Sequence, residues 1–430
     1  MRRNIVWEGA DQLRYEIREI VGVARHLESM GIPMTYENIG DPIQKGEEMA
    51  PWIRDIVTNL ASQSKSYAYT ATEGDYKTRD FLADHVNRRG GCQITSDDLV
   101  FFNGLGDAVS TLFAFLKREA RVIGPSPAYS TLSSAEAAHS GYEHTTYKLD
   151  PDNNWMPDLE DLENKVRYND AIAGILLINP DNPTGAVYPK EVLLEIVDIA
   201  RRYDLFVLSD ETYASIVYPG AETCHLSEVI GEVPGIAMRS ISKEYPWPGG
   251  RCGWIEIFNR QRDENFDRFI KTLIDAKRLE VCSTSLPQMS IPLVIGDPRY
   301  PEHLARRADK FSKRAVEAVD ILNTIPGVKV NLPKGAFYLT VLMDKDRVAD
   351  FRPLPMKPEI AAYLKPFMEG APRDKQLVYN LLGGAGLCTV PLSGFCSDLP
   401  GFRVTLLEND DARRLAIWEK LKDSLSKMLG

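Results

Sequence analysis

A lysine amine can add to an aldehyde, provided the side chain is held rigidly and is partly desolvated, so that its neutral form is accessible. Lys243 is placed for such chemistry. It follows a strand-like stretch, IAMRSIS (236–242), has hydroxyl side chains close by, and precedes a loop rich in proline and glycine. A lone lysine is more often a solvated surface residue, so the argument rests on its companions. Asp210 ends the apolar run FVLSD (206–210). A carboxylate at a buried strand end costs several kcal/mol unless a cation meets it; a helix cap or a structural ion pair would also satisfy it. Tyr213, three residues on in SDETY, and Asn182 in INPDNPTG (178–185) are hydrogen-bonding groups at neighbouring strand ends, although a core tyrosine and a turn asparagine look the same. Arg251, eight residues after Lys243, can hold an anion by charge-assisted and bidentate hydrogen bonds.

The run NGLGDAVSTLF (103–113) reads as a glycine turn leading from a strand into a helix. The first N–H groups of such a helix point outward and attract phosphate, which makes Gly104, Leu105 and Gly106 a candidate anion cradle as well as an ordinary turn. The turn does not fit the dinucleotide fingerprint G-x-G-x-x-G, because Val109 stands at the last glycine position. No second phosphate loop is visible, which argues against a nicotinamide-dependent oxidoreductase.

These residues need a scaffold that brings them together. LVFF (99–102), GILLIN (174–179), FVLSD and WIEIF (254–258) are too continuously apolar for strands with one wet face. They read as strands buried on both faces of a mostly parallel sheet. Between them, EVLLEIVDIARRYD (191–204) places Leu193, Ile196, Val197 and Ala200 on one helical face. The alternation predicts an α/β fold, with a large sheet sandwiched by helices. Ligands of open α/β sheets bind beyond the carboxyl ends of the strands, so the polar motifs converge by topology. The N-terminal segment (1–54) and the C-terminal third (301–430) read as one smaller α+β domain beside a large domain over 55–300. The amphipathic stretch HLARRADKFSKRAVEAVDILNTI (303–325) opens the C-terminal part. The stretch 345–375, with several prolines and many charges, reads as an insertion or surface excursion.

Composition narrows the classes further. The chain has 430 residues, 44% hydrophobic and 26% charged, with a formal net charge of −10. That excess of negative charge argues against nucleic acid as a partner. The six cysteines contain no CxxC pair and the six histidines no HExxH spacing, so neither a disulfide framework nor a metal site is expected. The N-terminus is too polar for a signal peptide, and no apolar run nears the roughly 20 residues of a membrane helix. A cytoplasmic protein without a membrane partner is the expectation.

Taken in order, the N-P-x-N-P-T-G motif, the D-x-x-Y pair and S-x-S-K with its following arginine resemble the fold-type-I aminotransferases that use pyridoxal 5'-phosphate (PLP). Within them the chain looks most like the class I/II branch that contains the alanine aminotransferases. The resemblance runs from about Gly40 to Arg403. It implies that Lys243 forms the Schiff base with PLP, that Asp210 keeps the pyridine nitrogen protonated, and that Tyr213 and Asn182 reach the ring hydroxyl. It further implies that the Gly104–Gly106 turn, Ser240 and Arg251 hold the phosphate. Many members carry serine or threonine where this chain has Gly106, so a hydroxyl donor is missing there. Tyr129, in GPSPAYSTL, matches the aromatic residue over the ring. Arg403, in GFRVTLLE, matches the arginine that receives the substrate carboxylate, and Gly40, in IGDP, the small residue beside the substrate. Tyr69 matches a tyrosine that reaches the phosphate of a neighbouring subunit, which implies a homodimer with shared sites. The implied reaction moves the amino group of a neutral, alanine-like amino acid to a 2-oxo acid such as 2-oxoglutarate by a ping-pong mechanism. The same parts also serve β-elimination, decarboxylation and cyclopropane-forming lyases. A PLP-binding regulator without turnover is the alternative from another class.

Overall fold

The computed structural model describes residues 2–13 and 15–430. The short strand β1 (Thr35–Tyr36) lies in the N-terminal segment. A large sheet follows, made of β2 (Leu99–Phe102), β3 (Arg121–Ser126), β4 (Thr146–Asp150), β5 (Met156–Pro157), β6 (Ile172–Ile178), β7 (Phe206–Asp210), β8 (Gly235–Ser240) and β9 (Gly253–Phe258). Its order is β2-β9-β8-β7-β6-β3-β4-β5. Strands β8, β7, β6, β3 and β4 run parallel, while β9 is antiparallel to both β8 and β2 and β5 is antiparallel to β4. The continuous apolar runs have a simple cause. In β6, Ile175 and Leu177 enter the core on one face, and Leu176 and Ile178 enter the core on the other. With helices on both sides, all positions of this strand but the partly buried Ala173 are inside.

The smaller unit holds β10 (Val328–Val330), β11 (Tyr338–Met343), β12 (Leu387–Cys388), β13 (Val390–Pro391) and β14 (Gly401–Thr405). Four of these form an antiparallel sheet in the order β10-β11-β14-β13, and β12 pairs in parallel with β1. Helix Glu16–Ser29 joins this unit, because Ile20, Val23, Ala24 and Leu27 fall on one face at helical spacing and share its core. Helix Tyr300–Leu322 serves both cores. Tyr300 packs with the large sheet, whereas Phe311, Ala315, Ala318 and Leu322 pack in the smaller unit.

The stretch 345–375 is not a surface excursion. Val348, Leu354, Ile360 and Leu364 are buried in the core of the smaller unit. Ile360 and Leu364 lie one turn apart on helix Pro358–Met368, whose interior Pro366 and flanking charges hide that spacing in the sequence. The helix approaches helix Arg373–Ala385 closely, for a Cβ on Gly383 would lie 2.5 Å from Leu364 Cδ1. Leu364→Ala should therefore lower stability by about 2–5 kcal/mol in urea unfolding. An exposed excursion would lose no more than about 0.5 kcal/mol.

Candidate active site

Parallel strands deliver the polar motifs to one edge. β6 leads into Asn179–Gly185, β7 ends at Asp210, and β8 ends at Ser240. Ser240 turns the chain by accepting a hydrogen bond from the Ser242 amide (3.0 Å), starting the short helix Ile241–Glu244 that carries Lys243. The Lys243 amine donates to the Gly40 carbonyl at 2.6 Å. Burial pushes this amine down to about 8, and the cations of Arg403, Arg251 and Arg307 act in the same direction against Asp41.

Asp210 is 8% exposed and takes a hydrogen bond from the Thr212 amide at 3.0 Å. Burial raises its carboxyl above the usual range. Among the described residues no cationic side chain lies within ion-pair distance of it. A buried carboxylate in this state fits a cationic ring nitrogen of a ligand. Behind it, burial pushes the neighbouring Asp181 up to about 7.

Arg403 sits in β14 between β11 and β13 and is 1% exposed. Its guanidinium donates to the Asn182 side-chain oxygen (3.2 Å) and the Asn38 carbonyl (2.5 Å). It lies over the rings of Tyr338 (4.5 Å) and Phe395 (5.2 Å). Its Nε is buried without a partner, so the fork has donor capacity left for a carboxylate. The Tyr338 hydroxyl meets that of Tyr213 at 2.9 Å. It also explains Gly40, where a Cβ would lie 2.2 Å from the Tyr338 hydroxyl oxygen.

Gly104 has φ +86° and precedes helix Leu105–Phe115. A Cβ there would lie 2.3 Å from the Arg251 guanidinium, so the turn and the arginine pack as one unit. Arg251 in turn donates to the carbonyls of Asn103 (3.2 Å) and Pro248 (3.1 Å). Gly106 faces open space. The exposed helix N-terminus, the guanidinium and the space beside them suit a phosphate.

Eleven predicted residues line one cavity of about 900 Å³: Gly40, Leu105, Gly106, Tyr129, Asn182, Asp210, Tyr213, Ser240, Lys243, Arg251 and Arg403. Gly104 supports it from beneath Arg251. Tyr69 does not join them and is 83% exposed. Sequence reasoning missed Tyr338, which has no mark to separate it from a core aromatic on a strand. It also missed Tyr15, whose hydroxyl meets that of Tyr129 at 3.2 Å. Tyr15, Arg18, Gly22 and Arg25 line the cavity mouth at helical spacing, a signal that could have been read. Arg18, Arg25, Lys243, Arg251 and Arg403 against Asp41 and Asp210 make the cavity basic within an acidic protein.

The family "Aminotransferase class I and II" matches residues 38–417. An uncharacterized aminotransferase of Methanocaldococcus jannaschii is 49% identical over 430 residues, all of both chains. The glutamate-pyruvate aminotransferase of Escherichia coli K12 is 30% identical over 77% of this chain and 81% of its own length. Among solved structures, the alanine aminotransferase of Pyrococcus furiosus superposes with a TM-score of 0.83 at 26% identity, over 98% of each chain. An Escherichia coli aminotransferase gives a TM-score of 0.86 at 25% identity over the whole of both chains. With the fold, the cavity and these matches in agreement, the chain belongs to the class I and II aminotransferases, fold-type-I enzymes whose cofactor is PLP.

Proposed function

We propose that the protein transfers the amino group of a small neutral L-amino acid, alanine or one of similar size, to a 2-oxo acid such as 2-oxoglutarate. The first product leaves before the acceptor enters, so both half-reactions use one site. The observation that carries this reading is the Lys243 amine, brought down to about 8 in the same cavity as a buried arginine with an unpaired donor. A small side chain is supported by relatives matched over three quarters of the chain, which bear glutamate-pyruvate and alanine aminotransferase names.

In this reading PLP, when bound, supplies the electron sink that makes the substrate α-proton acidic. Gly104, Leu105, Gly106, Ser240 and Arg251 hold its phosphate, Asp210 its ring nitrogen, Tyr213 and Asn182 its ring hydroxyl, and Tyr129 one face of its ring. Arg403 receives the substrate carboxylate in a fork that a lysine could not provide. Gly40 lies beside the substrate main chain, and its lack of a Cβ makes room for the Tyr338 hydroxyl. Lys243 removes the proton from the substrate α-carbon as a general base, a step its position near neutrality favours. Tyr69, exposed in its own chain beside the comparably exposed Tyr67, serves the site of a second copy across a homodimer interface.

With PLP and 2-oxoglutarate, alanine should be turned over at least about tenfold faster than aspartate, leucine or tyrosine. A faster acidic or aromatic donor in that panel rejects the alanine-type reading. Borohydride should fix the cofactor to the peptide containing Lys243, and Lys243→Ala should abolish both fixation and turnover; labelling of another lysine removes Lys243 from its role. Tyr69→Ala alone should impair activity clearly. Mixing Tyr69→Ala chains with Lys243→Ala chains under subunit exchange should raise activity above that of either variant, because one of the two sites regains both residues. If exchange is confirmed and nothing is gained, Tyr69 serves its own chain.

A further inference from the structure

Arg307, on helix Tyr300–Leu322, is 5% exposed and has every arm of its guanidinium engaged. Its Nε and Nη2 donate to the two carboxylate oxygens of Glu47 at 2.9 and 3.0 Å. Its Nη1 donates to the main-chain carbonyls of Lys243 and Glu244. Glu47 is also buried and holds a second cation, Lys310, at 2.7 Å. Burial alone would raise the Glu47 carboxyl, yet the hydrogen bonds and charge of Arg307, joined by Lys310, bring it down to about 2. The pair is thus an ionised, two-pronged buried contact.

The segment that ends in Glu47 is the one that enters the cavity. Its Asn38 carbonyl accepts from Arg403, and its Gly40 carbonyl accepts from the Lys243 amine. The segment is braced internally, because the Lys45 amine donates to Glu37 at 2.7 Å. Residues 38–47 therefore touch Arg403 at one end and the Lys243 side chain in the middle. At the other end they reach, through Glu47 and Arg307, the Lys243 main chain. The reactive side chain is gripped at its tip and at its root by one piece of chain. Helix Tyr300–Leu322 spans both cores, so the grip also registers the smaller unit against the large sheet.

We propose that Arg307 is a positioning residue for Lys243: its buried clasp to Glu47 couples segment 38–47, and with it the carboxylate-binding arginine, to the main chain that carries the amine. This inference rests on the roles given above to Lys243 and Arg403. Arg307 touches neither substrate nor cofactor and acts through the backbone it holds.

The test uses the PLP-loaded enzyme and two variants. Arg307→Lys keeps a cation beside Glu47, but its three N–H groups on one atom cannot serve both carboxylate oxygens and both carbonyls together. It should lower kcat roughly tenfold with a smaller change in KM, since ground-state binding at Arg403 is retained. Deuterium exchange should quicken several-fold in the peptide covering 241–247. Glu47→Gln keeps the side-chain volume and removes the charge. It should quicken exchange in both 38–47 and 241–247 and raise KM as well as lower kcat. Borohydride should still fix the cofactor at Lys243 in both. Wild-type kcat together with wild-type exchange at 241–247 in Arg307→Lys would overturn the proposal, as would a Glu47→Gln effect confined to 38–47. If borohydride labels a different lysine in the wild type, the assignment of Lys243 falls, while the exchange results still report whether the clasp couples the two segments.

Discussion

Withdrawing a lysine amine from water is unfavourable for its charged form, and much of this structure is arranged around that fact. The Lys243 amine has a carbonyl acceptor, Gly40, and a carboxylate in Asp41, but it also feels the positive charge of Arg251, Arg307 and Arg403. The balance leaves it near neutrality, where its charged and its neutral form are both accessible. Moving any of these groups disturbs that balance, and each is therefore fixed by the fold. Arg251 is packed on Gly104, Arg403 is held in the middle of an antiparallel sheet, and Arg307 is clasped to Glu47.

Arg403 shows how a cation can be buried without being neutralised. Two aromatic rings and two neutral oxygens stabilise it, and no carboxylate side chain pairs with it among the described residues. A carboxylate partner would have filled the fork, whereas here its Nε keeps an unused donor. Asp210 presents the complementary case, a buried carboxylate that feels the charge of Lys243 but has no cationic side chain within ion-pair distance among the described residues. The cavity thus holds a group that suits an anion and a group that suits a cation. That polarity suits a ligand pair with a carboxylate on one component and a protonated ring nitrogen on the other.

The large sheet and the meeting of the polar motifs in one cavity were legible because continuous apolar runs and short motifs are local signals. Lys243, Asp210 and Asn182 each stand at the end of such a run, and parallel topology alone brings them together. What the sequence concealed depends on contacts between distant segments. The burial of Ile360 and Leu364 is hidden by a proline and surrounding charges, and Tyr338 becomes part of the site only when β11 lies beside β14. The Glu47–Arg307 contact joins residues with no motif about them and a long stretch of chain between them.

The pairing of β1 with β12 joins Thr35–Tyr36 to Leu387–Cys388, two segments far apart in the sequence. During synthesis, the early segment that carries Gly40 and Asn38 has no strand to lie against until Leu387–Cys388 emerge. The large sheet can form around Asp210 and Lys243 well before then. A nascent chain that ends before Leu387 would thus hold the Gly104–Gly106 turn and Arg251 without Arg403 and its contact to Asn38. The contact of Arg403 with Asn38 and the pairing of β1 with β12 depend, in this topology, on the same late stretch of chain.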